Sequence, residues 1–198
     1  MGGSAESLAY LELAETLAEL DPATYVFGGI AEDVVLSGTW SRPHDDIDVL
    51  VARDQLDAAL SMLAGQGVAG FEVYFESPPG SPLVLGTSTQ EIQVELGVFD
   101  PTDSGAPSFV LPSDQGSVTI TLPPDTLTAP IGTIDGRRVR TVSPLALFHL
   151  RAAFMQTGAF GPPREKDLDR QAALRDGPLA GIAPKDLVPT IEANEPSQ

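Results

Sequence analysis

Asp46 and Asp48 open the run Asp-Ile-Asp-Val-Leu-Val, where charged and apolar residues alternate before the chain turns wholly apolar. Side chains at i and i+2 of a strand share one face and stand ~6–7 Å apart. Both carboxylates then point one way, while Ile47, Val49 and Val51 point into a core. Two carboxylates so spaced can share one or two hard divalent cations, the metals that assist phosphate chemistry. Alone, an Asp-x-Asp reads as a solvated strand start with Asp46 as a turn cap. Its company argues for chemistry. Gly28-Gly29 lies one short helix upstream, where a strand hands over to a helix and bare backbone can approach phosphate. Downstream, 91–99 alternates with period two, placing Glu91, Gln93 and Glu95 on one side and Ile92, Val94 and Leu96 on the other. A polar face on an apparently central strand implies an open cleft. Lys166, one of two lysines in the chain, sits in a late helix and can meet a polyphosphate. Carboxylates, backbone donors at a helix start and a cation are the parts of a two-metal phosphoryl-transfer site.

The elements that must position these groups follow from pattern. Residues 4–20 read as an amphipathic helix with Leu8, Leu11, Leu17 and Leu20 on one stripe, ended by Asp21-Pro22. Thr24 to Phe27 is a short buried strand, and Ile30 to Leu36 a short helix that Gly38 can cap. A polar loop with Trp40, Arg42 and His44 leads into the Asp46 strand. Asp54 then caps a helix with Leu56, Leu60 and Leu63 inward, stopped near Gly65-Gly67. Residues 71–75 form a strand and 77–82 a Pro/Gly loop. Residues 100–115, rich in Pro, Gly, Ser and Asp, read as a mobile loop. Ser117 to Leu122 alternates as a strand, and 131–142 as a hairpin turning at Asp135-Gly136. Ser143-Pro144 supplies a cap and a first-position proline for the next helix. Gly158 to Pro163 breaks it, and 164–174 forms another. His44 shapes the turn before Asp46, Trp40 packs, and His149 is a partly buried helix residue. The fold class is α+β: a small mixed sheet flanked by helices, with a helical C-terminal part. The expected layout is an α/β core over 1–142, including the N-terminal helix, then helices over 143–191 and a flexible tail over 192–198.

At 198 residues, 42% of them hydrophobic, the chain suffices for one well-formed core. No apolar run approaches the roughly 20 residues of a membrane span, and no signal-peptide pattern is present at the N-terminus. The chain has no cysteine, which excludes thiolate metal sites and fits a cytoplasmic protein. A net charge of −17 disfavours nucleic acid in general and draws cations by long-range steering.

Gly28-Gly29 followed by Arg42-Pro43-His44-Asp45-Asp46-Ile47-Asp48 resembles the nucleotidyltransferase superfamily, and most of all its antibiotic-modifying branch of aminoglycoside 2″-type and lincosamide enzymes. Abortive-infection and toxin-type nucleotidyltransferases share the same core. Val94-Glu95-Leu96 is similar to the later strand that completes the metal site, with Glu95 where aspartate is usual. Gly136-Arg137-Arg138-Val139-Arg140 with Ser143-Pro144 resembles the family's hairpin and helix start. Arg164-Glu165-Lys166-Asp167-Leu168-Asp169 resembles its late basic-acidic helix. The resemblance implies Mg2+, two ions, held by Asp46, Asp48 and Glu95. It also implies a nucleoside triphosphate held by Gly28, Gly29, Arg42 and Lys166, with Glu95 as a candidate general base.

Three acceptor possibilities follow. A small cationic antibiotic such as an aminoglycoside suits the acidic chain, and a lincosamide fits the same motifs. A tRNA end, modified by a toxin-type enzyme with an antitoxin partner protein, needs a basic groove, for which only Arg137, Arg138 and Arg140 with Arg151 and Arg164 are available. An inactive nucleotide-binding module would need neither, and the intact Asp46/Asp48 pair and Lys166 argue against it.

Overall fold

The computed structural model describes residues 5–19, 23–76, 80–89, 92–113, 116–129, 131–158 and 161–194. Ser4, Leu20, Asp21, Pro22, Glu91 and Phe160, all included in the expectations above, lie outside them, as do 195–198. Five α-helices and ten strands are formed among the described residues. Helix α1 (Ala5–Glu19) is followed by β1 (Tyr25–Phe27), α2 (Gly28–Leu36) and β2 (Ile47–Ala52). A 3-10 turn over Arg53–Gln55 leads into α3 (Leu56–Gly65), and β3 (Glu72–Glu76), β4 (Pro82–Ser88) and β5 (Gln93–Pro101) follow. Then come β6 (Pro107–Ser113), β7 (Gly116–Thr121), the hairpin β8 (Gly132–Ile134) and β9 (Arg137–Val139), α4 (Pro144–Thr157), α5 (Glu165–Asp176) and β10 (Thr190–Ala193).

The sheet is mixed, as the α+β expectation required. Strand β2 pairs antiparallel with β1 and parallel with β5. The far side of β5 pairs antiparallel with β4, and β4 with β3. Beyond Phe99, β5 pairs instead with β6, which leads on to β7 and β10. The parallel β2/β5 pair needs a crossover, and α3 with the β3–β4 hairpin supplies it. Ile47, Val49, Val51, Val94 and Leu96 are all 0–1% exposed, so the apolar positions of both strands are shut inside the core. Helix α4 joins that core through Ala146, Leu147, Leu150 and Ala153.

Local signals explain the punctuation. Ser143 Oγ accepts from the Ala146 N–H at 3.2 Å, with Pro144 at the first helical position. Asp135 (φ 47°) and Gly136 (φ 84°) make the two-residue turn between β8 and β9, where positive φ at both positions suits the strand twist. Four expectations are corrected. Residues 100–113 do not form a mobile loop: β5 runs to Pro101 and β6 begins at Pro107, because Ser108 to Leu111 can pair with β7. The tail does not begin at Glu192, which pairs with Thr119 inside β10. Leu8 is 46% exposed, while Leu11 and Leu17 are buried as expected; Tyr10, Leu13, Ala14 and Leu17 make the i, i+3, i+4, i+7 stripe that meets the core. Asp54 lies within the 3-10 turn, and α3 begins after Gln55 without a side-chain cap bond.

Removing the Ser143 hydroxyl leaves an α4 first-turn N–H unpaired in a buried site. Ser143→Ala should cost about 1 kcal/mol, read as a fall in melting temperature of roughly 2–4 °C for a chain of this size.

Candidate active site

Asp48 and Glu95 are direct partners in the parallel β2/β5 register, so their carboxylates leave the sheet at one level on one face. Asp46, two residues earlier, joins them from just before β2. One carboxylate oxygen from each of the three lies within 4.8 Å of the others. The alternation expected downstream holds over 93–96: Gln93 and Glu95 are half-buried, Glu95 on the cavity, while Val94 and Leu96 are buried.

The glycine pair is required by contact. Helix α2 starts at Gly28, whose φ of +64° few side chains tolerate, and a Cβ there would collide with the Asp48 carboxylate. A Cβ on Gly29 would come within 2.7 Å of both the Arg42 guanidinium and His44 Nδ1. The backbone of the α2 N-terminus therefore lies directly against the carboxylates, where its N–H dipoles favour anions.

Electrostatics sharpen the picture. Burial pushes the Asp48 carboxyl well above its ordinary range, and the charges of Asp46, Glu95 and Glu32 add to this against a smaller pull from Arg151. Burial also raises Asp46, with Asp45 adding, and Glu95, with Asp46 adding. Three convergent oxygen donors that resist ionising together fit a hard divalent cation, which supplies the missing positive charge.

All seven candidate residues, Gly28, Gly29, Arg42, Asp46, Asp48, Glu95 and Lys166, line one cavity of about 390 Å³. Arg42 and Lys166 form no ion pair among the described residues. Arg42 Nε is buried without a hydrogen-bond partner, while its NH1 donates to the Pro43 carbonyl at 3.2 Å. His44 and Trp40 behave as packing residues: His44 is 4% exposed and its ring meets Trp40 edge-on at 4.7 Å. His149 Nε2 lies 2.9 Å from the Asp186 carbonyl, and its Nδ1 has no partner.

No family model and no curated protein sequence matches the chain. Solved structures do. The chain superimposes on the solution structure of the antibiotic-resistance factor ANT(2″)-Ia with a TM-score of 0.63 at 17% identity, covering 93% of this chain and 89% of that one. The crystal structure of ANT(2″)-Ia in complex with adenylyl-2″-tobramycin gives 0.59 at 16% identity, covering 86% and 87%. Lincomycin-bound LnuA, a lincosamide antibiotic adenylyltransferase, gives 0.54 at 18%, covering 87% and 96%. The chain has a nucleotidyltransferase-type fold.

In this nucleotidyltransferase-type fold, helix α2 carries two acids that the sequence reading passed over. Glu32 and Asp33, adjacent on α2, are both buried, at 1% and 0% exposure. Glu32 pairs with Arg151 of α4, whose NH1 also donates to Asp167 of α5 at 2.8 Å. Asp33 accepts from the Ser41 N–H at 2.8 Å and forms an ion pair at 3.0 Å with Arg170 of α5, whose guanidinium donates to Ser41 Oγ. His44 Nε2 lies 3.0 Å from the same carboxylate. Burial alone would raise Asp33, but the bonds from His44 and Ser41, with Arg170, outweigh it and hold it below the usual value. An ionised Asp33 only accepts, so His44 Nε2 carries the proton it donates. The hydrogen bonds of Arg164 likewise hold Asp167 far below its usual range. The signal was present: two carboxylates inside Ile-Ala-Glu-Asp-Val-Val-Leu must find cations from elsewhere once that helix is buried.

A carboxyl whose pKa is raised by folding binds its proton more tightly folded than unfolded. Its contribution to stability is complete below the unfolded value and is lost as pH rises through the folded one. Metal-free protein should therefore lose stability from about pH 4 toward neutrality. Asp48→Asn should flatten that slope and raise the melting temperature at neutral pH by roughly 2–4 °C per kcal/mol relieved. A variant less stable than the parent across the whole range would contradict this.

Proposed function

We propose that the protein is a magnesium-dependent nucleotidyltransferase that moves a nucleoside monophosphate from a nucleoside triphosphate to a hydroxyl of a small acceptor molecule. The observation that carries this is the convergence of Asp46, Asp48 and Glu95 within 4.8 Å against the Gly28-Gly29 backbone, with Arg42 and Lys166, which have no ion pair among the described residues, on the same cavity. The neighbours in fold act on antibiotics, one seen with adenylyl-2″-tobramycin and another with lincomycin. An antibiotic-like small molecule is accordingly the acceptor class we assign.

Asp46, Asp48 and Glu95 would hold Mg2+, two ions in the full site. Bound there, magnesium would supply positive charge to offset that of the phosphates. The Gly28 and Gly29 backbone, Arg42 and Lys166 bind the triphosphate and keep its departing pyrophosphate in place. The acceptor oxygen attacks the α-phosphorus, the bond from that phosphorus to the bridging oxygen breaks, and pyrophosphate leaves. Glu95 takes the acceptor's proton. Asp33, His44 and Arg170 position rather than react: they lock the 37–46 loop, and with it Arg42, against α2 and α5.

The RNA-modifying alternative loses its basic track. Arg137 pairs with Glu12 and Glu15, and Arg138 with Glu19. Arg151 and Arg164 are held by carboxylates, leaving no arginine-rich surface to follow a phosphate backbone or to call for an antitoxin. A passive nucleotide-binding module would have no use for a third carboxylate in register with the first two. No helix among the described residues is long and apolar enough to cross a membrane, and a triphosphate-consuming reaction belongs in the cytoplasm.

Incubation with α-labelled nucleoside triphosphates, magnesium, total tRNA and a panel of antibiotics should label a small molecule. Asp46→Asn and Asp48→Asn should each lower transfer by about 10³-fold or more, the scale of losing a preorganised charge partner at the transition state. Arg42→Ala should raise the KM for nucleotide roughly 10-fold to 100-fold, as loss of a charge-assisted bond requires. Undiminished transfer by either aspartate variant, or label found only on tRNA, would remove this function.

A further inference from the structure

Nucleotidyl transfer is an in-line displacement, so the attacking oxygen lies across the α-phosphorus from the departing pyrophosphate. Besides Lys166 of α5, the groups assigned to the phosphates are Gly28, Gly29 and Arg42, which belong to α2 and the loop before β2. They lie on the β1 side of the three carboxylates, because the strands run β1, β2, β5, β4 across the sheet. The acceptor must come from the other side, where β4 and β6 form the wall. Those strands give the cavity Leu83, Val84, Phe109, Val110 and Leu111 and, among the described residues, no charged side chain.

Most carboxylates of the cavity are otherwise committed. Glu32, through Oε1, and Asp167 are paired with Arg151 and Arg164, and Asp46, Asp48 and Glu95 cluster as the candidate cation site. The exception is Asp45, exposed and without an ion pair among the described residues, on the loop that carries Arg42. The charge of −17 is spent largely on outer faces, as with Glu12 and Glu19 of α1 and Glu72 and Glu76 of β3, all exposed. An ammonium group pressed onto the β4/β6 wall would lose water with no hydrogen bond in return. A methylene laid on the same wall gains roughly fourfold in affinity.

The geometry points to an acceptor that carries its reactive hydroxyl on an apolar body, neutral or singly charged, rather than to a polycation. This specificity rests on the nucleotidyl-transfer function proposed above. The apolar body lies on Val84 and Val110, both half-buried at the cavity surface, with Phe109 and Leu111 beneath.

Calorimetric titration of the full chain, loaded with magnesium and an α,β-methylene nucleoside triphosphate, tests this without requiring turnover. Lincomycin and chloramphenicol serve as hydroxylated probes with apolar bodies, and tobramycin as the polycation. The first two should bind at least about 10-fold more tightly than tobramycin. Their affinity should change less than about twofold between 0.05 and 0.5 M salt, since screening acts on charge pairs and not on apolar contact. Val110→Asp should weaken that binding by about 10-fold or more while the nucleotide analogue binds as before, which also reports an intact fold. Val84→Asp should do the same from the other strand. Tighter binding of tobramycin, or affinities that collapse with salt, would overturn the assignment. Binding of no probe to nucleotide-loaded protein would overturn it too, leaving the nucleotide site standing. Failure of the analogue itself to bind would remove the proposed function and this specificity with it.

Discussion

Three carboxylates that repel one another are held at one point, and much of the molecule is arranged to keep them there. Asp48 and Glu95 face each other only because β2 and β5 run parallel in one register. A slip by one residue would turn one of them into the core and bring an apolar neighbour to the cleft. That register is anchored from beneath by Ile47, Val49, Val94 and Leu96, none of them more than 0% exposed. It is enforced from above by Gly28, whose missing side chain leaves room for the Asp48 carboxylate. Burial and mutual repulsion raise the affinity of all three carboxyls for protons. The cluster is therefore a local cost in free energy, and a divalent cation is the counter-charge that would offset it.

The same helix that presents its N-terminus to this cluster distributes two more buried charges. Glu32 reaches Arg151 of α4, and through it Asp167 of α5, while Asp33 reaches Arg170 of α5 and the loop residues Ser41 and His44. Helix α5 has little else to hold it: it buries only Leu174, and Leu168 is 55% exposed. Its position, and with it that of Lys166, is set by ion pairs more than by apolar packing. Breaking one partner of such a buried pair leaves an uncompensated charge. The two networks thus act as a specification of geometry, coupling the helix that carries Lys166 to the helix whose first turn faces the carboxylates.

Much of this was legible in the chain. The alternation at 46–51 and 92–99, the glycine pair, the Asp135-Gly136 turn and the Ser143-Pro144 start each report a local rule, and local rules survive folding. What could not be read depended on partners distant in sequence. Strand β4 carries Leu83-Val84-Leu85 but only becomes a strand by pairing with β5 and β3. The Pro- and Gly-rich residues after Phe99 look like a loop until β7 offers Ser108 to Leu111 a ladder. Leu8 fits a helical stripe as well as Leu11 does, yet the core meets α1 along Tyr10, Leu13 and Leu17, which leaves Leu8 outside. Glu32 and Asp33 were visible as misfits in an apolar helix, although nothing local named Arg151 or Arg170 as their partners.

Composition was least informative where it was most extreme. A net charge of −17 describes a sum, and a site responds to the charges that remain without partners. Of the arginines, Arg53 is taken by Asp100, Arg137 and Arg138 by glutamates of α1, and Arg175 by Asp176. Arg151, Arg164 and Arg170 are held by buried or half-buried acids, and Arg140 donates to the Ala18 carbonyl at 2.8 Å beneath the Tyr25 ring contact. Arg42 has no carboxylate partner among the described residues, and its buried Nε is unsatisfied. A buried donor left unmade is costly, so a guanidinium in that state beside bare glycine backbone is suited to an anion brought from outside. By the same logic the acidic groups of the cavity other than Asp45, matched to cations of the chain or gathered in the three-carboxylate cluster, offer little to an incoming polycation. The unmatched surface is the apolar wall of β4 and β6, and it is the unmatched surface that selects a ligand.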